Sequence, residues 1–163
     1  MILLIAFRIV EEGPLRLKKK AWNKCIKEAL EHGIDFWHSR IAKLHFRPSA
    51  VSRYGYQKRT DRYQLRKRRR FGHGNPLEYT GESKRRLLRY LRITSRAGAA
   101  GRQATGSFDA PRYFWQTPPG HPKKAREFLT VRKDEMDRLA KAMDAKLQKA
   151  LDAERTRVTT TIK

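Results

Sequence analysis

Two long stripes of apolar residues at helical spacing set the frame of this chain. In the first, Trp22, Cys25, Ile26, Ala29, Leu30, Gly33, Ile34, Trp37, Ile41 and Leu44 recur mostly at steps of three and four, which places them on one face of a helix. Lys18, Lys24, Lys27, Glu28, Glu31, Asp35 and His38 mostly fall away from that face. Gly33 weakens the middle of the helix by about 1 kcal/mol relative to Ala and marks either a close packing contact or a kink. The second stripe is Leu129, Met136, Leu139, Ala140, Met143, Leu147, Ala150 and Leu151. Its helix is expected over residues 130–153, with Thr130 as the N-cap and Asp134 and Glu135 in the early turns, where negative charge suits the helix dipole.

What surrounds the stripes reads as strand or turn. Residues 1–10 (MILLIAFRIV) are rich in Ile, Val and Phe and predict a buried strand. The run is too short to span a bilayer and lacks the basic start and small-residue cleavage site of a signal peptide, so no membrane partner is expected. Gly13-Pro14 breaks this strand and suits the opening of the helix over 15–44. Arg47-Pro48 closes that helix, because proline restricts the residue before it. Pro76–Tyr79 is a short apolar run, and Thr80-Gly81 is a turn in which Thr80 is placed to cap a short helix running through Leu87 and Leu88. Tyr90–Thr94 has strand character, and the final residues 157–163 (RVTTTIK) alternate and read as a terminal strand over 156–163, completing a sheet in this chain or along a neighbour's edge. The layout is α+β: two long amphipathic helices packed on a small, mostly antiparallel sheet, in one domain over residues 1–163.

Residues 95–122 are the least compact part. Glycine, proline and small residues dominate there, interrupted by Phe108, Tyr113, Phe114 and Trp115. Structureless stretches of this length are uncommon inside a domain. Two forms stand: a β-hairpin around Gly98–Gly101, or an extended arm that orders against a neighbouring subunit. In the second form the four aromatics are candidate interface residues.

Charge narrows the function classes. The 163-residue chain carries 39 Lys and Arg against 16 Asp and Glu, a formal net charge of +23. Such an imbalance calls for a polyanionic or acidic partner. Between Arg47 and Arg92 there are 15 basic and three acidic residues, a net +12, about half of the whole excess. The basic segment over 47–75 interleaves Tyr54, Tyr56, Tyr63 and Phe71 with its cations. The candidate DNA- or partner-contacting surface is Arg59, Arg62, Arg66, Lys67, Arg68, Arg69 and Arg70, extended beyond the Thr80-Gly81 turn by Lys84, Arg85, Arg86 and Arg89.

Catalytic signatures are missing from the sequence. No carboxylate pair stands in an apolar context suited to acid–base work. His32, His38, His45, His73 and His121 form no HExxH or compact ligand set. Neither GxSxG, GxxxxGK[ST] nor GxGxxG occurs. The single cysteine, Cys25, lies on the apolar stripe and reads as a core residue. No zinc finger or RNP aromatic motif is present. The chain is therefore expected to be no enzyme and to use no metal or cofactor.

Three pieces in order resemble bacteriophage virion-morphogenesis or tail-completion proteins, a group that includes neck and head–tail joining proteins. They are RYQLRKRRRFG (Arg62–Gly72), LEYTGESKRRLL (Leu77–Leu88) and AREFLTVRKDEMDRLAKAMDAKL (Ala125–Leu147). With the first helix, the resemblance covers residues 15–151. Glu82-Ser83 stands where the family often has Arg-Leu after Thr-Gly, and Glu127 and Thr130 stand for its usual Pro and Gly, so neck ring, tail terminator and minor tail protein stay open. The resemblance implies a structural subunit of the head–tail junction, made in the host cytoplasm and located in the virion. It implies a homo-oligomeric ring of six or twelve copies between portal-connector and tail proteins, with non-specific contact to packaged DNA. From charge alone, a stand-alone nucleic-acid-binding protein, ribosome-associated or DNA-coating, is the alternative.

Overall fold

The computed structural model describes residues 2–5, 19–98, 101–114 and 124–161. Element order is β1 (Ile2–Ile5), α1 (Lys19–Phe36), α2 (Ala50–Tyr54), α3 (Asp61–Phe71), α4 (Glu82–Arg89), β2 (Leu91–Gly98), β3 (Gly101–Phe108), α5 (Lys124–Phe128) and α6 (Lys133–Thr161). This is the expected α+β architecture, with two long helices and a small antiparallel sheet.

The sheet has the order β1-β3-β2. Strands β2 and β3 form a hairpin paired from Leu91↔Phe108 to Gly98↔Gly101, so the hairpin is the form that 95–122 adopts as far as Phe108. Strand β1 joins the other edge of β3, Ile2 opposite Ser107 and Ile5 opposite Ala104. Alternation puts Ala104, Gly106 and Phe108 inward, while Arg92, Thr94, Arg96 and Gln103 are exposed.

Helix α1 lies between the sheet and α6, and a glycine serves each contact. A Cβ on Gly33 would stand 2.6 Å from Met143 Sδ on α6. A Cβ on Gly106 of β3 would stand 2.8 Å from Ile34 Cγ2 of α1. Gly33 is thus a close contact and no kink. Leu30, Ile34, Ala104 and Met143 form one apolar cluster at this junction; Cys25, Ala29, Leu147 and Leu151 form another along α1 and α6. Cys25 is a core residue, as expected.

Beyond Phe36 the helical path continues as a π-helical turn (Trp37–Ile41) and a 3-10 turn (Ala42–Phe46). The wider π turn shifts the phase of the stripe. Ala42, His45 and Phe46 become the buried positions, and Leu44, expected on the stripe, is only partly buried. The main core gathers here around Trp37, with Phe108 at 5.6 Å and Phe128 at 5.4 Å between ring centroids.

Several expectations are corrected. Residues 157–161 are the last turns of α6, not a terminal strand. A helix already nucleated gains one hydrogen bond per added residue, whereas an isolated strand needs an edge. Thr130 does not cap α6; its hydroxyl donates to Arg126 O at 3.0 Å. The helix starts at Lys133, and Glu135 reaches back to accept from Arg132 N at 3.2 Å, half of a capping box. Nor does Thr80 cap α4, whose N-cap is Gly81 at φ 81°. Phe108 and Phe114, expected at a subunit interface, are 5% and 1% exposed in this chain's own core, because Phe128 receives both rings. Trp115, residues 6–18 and residues 162–163 fall outside the described residues.

Candidate functional site

The basic segment divides into two parts with different tasks. Its first part, around α2, is spent on holding the C-terminal helices. Glu135 is fully buried. It accepts from Tyr54 Oη at 2.6 Å, from Arg53 Nη2 at 3.0 Å and, through its other oxygen, from Arg132 N. Arg53 also donates to Asp134 at 2.8 Å. Next to this cluster, the His45 ring stacks on Tyr54 at 4.0 Å and its Nδ1 is hydrogen-bonded to the Tyr56 hydroxyl. Burial pulls the His45 imidazole down to about 3, with the Glu127 backbone opposing and Arg53 adding to the shift. Burial also raises the Tyr54 and Tyr56 phenols, so both stay protonated at neutral pH. Arg59 makes a two-pronged contact with Glu127 of α5, at 3.0 and 2.6 Å. Arg59 is therefore a partly buried docking residue and not a free surface cation.

The second part is α3, which has two faces. Thr60 caps it, accepting from Tyr63 N at 3.3 Å, and Gly72 ends it in the left-handed conformation. Arg62, Arg66, Arg69 and Arg70 are exposed on the outer face. Among the described residues no carboxylate lies within ion-pair distance of these four, nor of Arg85 and Arg89 on α4.

The inner face of α3, with Asp61, Tyr63, Gln64, Lys67 and Arg68, forms one wall of a cleft of about 710 Å³. The opposite wall is the turn Pro76–Tyr79, and Tyr56, Lys58, Arg59, Tyr113 and Lys124 are among the other lining residues. The turn holds Leu77 at φ 56°, and Ser83 Oγ donates to Leu77 O at 2.7 Å. A bulky residue in this region is strained and persists only where neighbours fix it.

Lys67, expected on the surface, is 4% exposed and donates to Asn75 O. Burial pulls its ammonium down to about 8, with Glu78 opposing and Arg59 and Lys124 adding to the shift. Lys124 is lowered as well, by burial and then by Arg59. Its Nζ stands 4.8 Å from the centre of the Tyr113 ring.

The remaining predicted cations differ in state. Lys84, in the first turn of α4, is 4.0 Å from Glu78. Arg86 is held by Asp109 at 2.6 Å and Glu82 at 3.1 Å. Lys124 was missed by sequence reasoning, and Glu135, expected in the early turns of the second helix, was not expected to be buried under Tyr54 and Arg53. The described residues contain no group of acidic, histidine or cysteine side chains fit to hold a metal ion, and no helix long and apolar enough to cross a membrane. Comparison with protein families, curated proteins and solved structures finds no match to this chain.

Proposed function

We propose that this chain is a structural subunit of the bacteriophage head–tail junction, a ring protein that joins the portal-connector to the tail around the DNA channel. The observation that carries the reading is the outer face of α3. Its four arginines lack carboxylate partners among the described residues, while Glu127 of α5 is committed to Arg59 and Asp134 and Glu135 of α6 to Arg53. Cations displayed in this way favour phosphates or an acidic neighbour. Two features support a repeating assembly. Strands β1 and β2 are the outer strands of the sheet, each with an edge open to pairing within the described residues. The segments that carry the phage resemblance also fall on coherent elements: α3, the turn into α4, and α5 leading into α6.

Native mass spectrometry of the purified protein, with mass spectrometry of purified particles, tests this reading. A closed ring and presence in the particle are expected. A monomer absent from particles overturns it. If that monomer still binds DNA with a steep salt dependence, lost on reversing Arg62, Arg66, Arg69 and Arg70, the stand-alone nucleic-acid-binding reading replaces it.

A further inference from the structure

We propose that the cleft between α3 and the Pro76–Tyr79 turn is a docking site for an acidic peptide segment of a partner protein, one that presents carboxylates beside an aliphatic side chain. This inference does not rest on the ring assignment.

The lining explains the choice of occupant. Five cations border the cleft (Lys58, Arg59, Lys67, Arg68 and Lys124) against Asp61 and Glu78. Arg59 is already paired with Glu127 and Lys67 donates to Asn75 O, which leaves Lys58, Arg68 and Lys124 to meet a carboxylate. Burial and neighbouring cations disfavour the charged forms of Lys67 and Lys124; an arriving anion relieves that cost. Beside Gln57 and Gln64, the lining includes Pro76, Leu77 and the rings of Tyr63, Tyr79 and Tyr113. It offers a wall for an aliphatic side chain, and Tyr113 has a buried hydroxyl with no hydrogen-bond partner among the described residues. The volume matches a few residues of extended chain, within the usual range for ligand clefts.

Other occupants fit less well. A second copy of this chain, at +23, is repelled by the cleft's excess positive charge. A nucleic-acid strand is better served by the outer arginines of α3, which lie on the opposite side of the helix and form an exposed row. The cleft instead offers the buried Lys67 and the half-buried Lys124 beside apolar walls.

A fluorescein-labelled peptide of alternating Asp and Leu, followed by anisotropy, tests the proposal. Saturable binding is expected. Lys124→Glu and Arg68→Glu should each weaken it by about tenfold or more, while Arg62→Glu with Arg69→Glu changes it by less than about threefold. Equal losses in the two sets would mean general attraction to a basic protein and overturn the proposal. Displacement of the peptide by oligothymidylate, with the same loss of oligonucleotide binding in Lys124→Glu, would make the cleft a nucleic-acid site and also overturn it. A benzophenone-bearing version of the peptide keeps the test valid if a variant fails to fold. With wild-type protein it should label the Pro76–Tyr79 turn or Tyr113; labelling only α6 or the outer face of α3 overturns the proposal.

Discussion

Tyr54 donates its phenolic hydroxyl to the buried carboxylate of Glu135 at 2.6 Å, across 81 residues of chain. That bond, with Arg53 on the same oxygen, fixes the start of α6 against the end of α2. Removing one partner from a buried ionic cluster leaves the others desolvated and unpaired. Glu135→Ala is expected to lower unfolding stability by about 3–5 kcal/mol. Glu135→Gln, which keeps the volume and some of the bonds, should cost less. Urea denaturation followed by circular dichroism measures both, and a loss below about 1 kcal/mol for Glu135→Ala would show that the cluster adds little to stability.

The two glycine contacts of α1 should respond differently to alanine. At Gly106 the new Cβ meets Ile34 Cγ2 at 2.8 Å and Leu91 Cδ1 at 3.3 Å. Ile34 is β-branched and held in a helix, so it cannot turn away, and Gly106→Ala is expected to cost about 1–3 kcal/mol. Adding Ile34→Leu removes the clashing branch and should restore part of that loss. At Gly33 the obstacle is the unbranched Met143 side chain. It can re-aim, and alanine gains about 1 kcal/mol of helix propensity there. Gly33→Ala is therefore expected to be the milder change, and thermal melts that rank the pair in the opposite order would contradict this account of the interface.

The elements with local signals were legible in the sequence. The two stripes announced α1 and α6, and the small-residue pair around Gly98–Gly101 announced the hairpin. What failed was long-range. Nothing near Lys67 announces that it is buried with its ammonium on Asn75 O. The partners that draw Arg53 and Arg59 out of the free surface lie 82 and 68 residues away. The π turn after Phe36 has no composition mark, yet it moved His45 and Phe46 into the core in place of Leu44. The alternating β-branched tail read as a strand because pattern alone omits the advantage of continuing a formed helix.

Cys25 is 1% exposed against Leu147 and Leu151. Burial raises its thiol, and Glu154 and Glu28 push in the same direction, so little thiolate forms near neutral pH. Reaction with a thiol-directed disulfide reagent is expected to be at least about a hundredfold slower in native protein than in urea. That ratio corresponds to an opening that costs about 3 kcal/mol. Rapid native labelling would mean that the α1–α6 contact opens readily.

His45 makes stability depend on pH in a defined direction. Its folded value is about 3 and its ordinary value is 6.5. In the window between them the unfolded chain binds a proton that the folded chain does not, so stability rises with pH. The contribution is fully present above the ordinary value and is lost as pH falls towards the folded one. The slope in the window approaches about 1.4 kcal/mol per pH unit. Paired carboxylates such as Asp109, held below the usual range by Arg86, add an acid loss of the same sign at lower pH. The informative quantity is therefore the difference between wild type and His45→Phe, a substitution that keeps a ring against Tyr54. At pH of about 7 the variant has lower stability because the Tyr56 hydroxyl loses its partner. Between pH of about 7 and about 5 the wild type is expected to lose about 2 kcal/mol more than the variant. Urea midpoints at the two pH values measure this, and parallel losses in both proteins would show that His45 is not buried as a neutral ring.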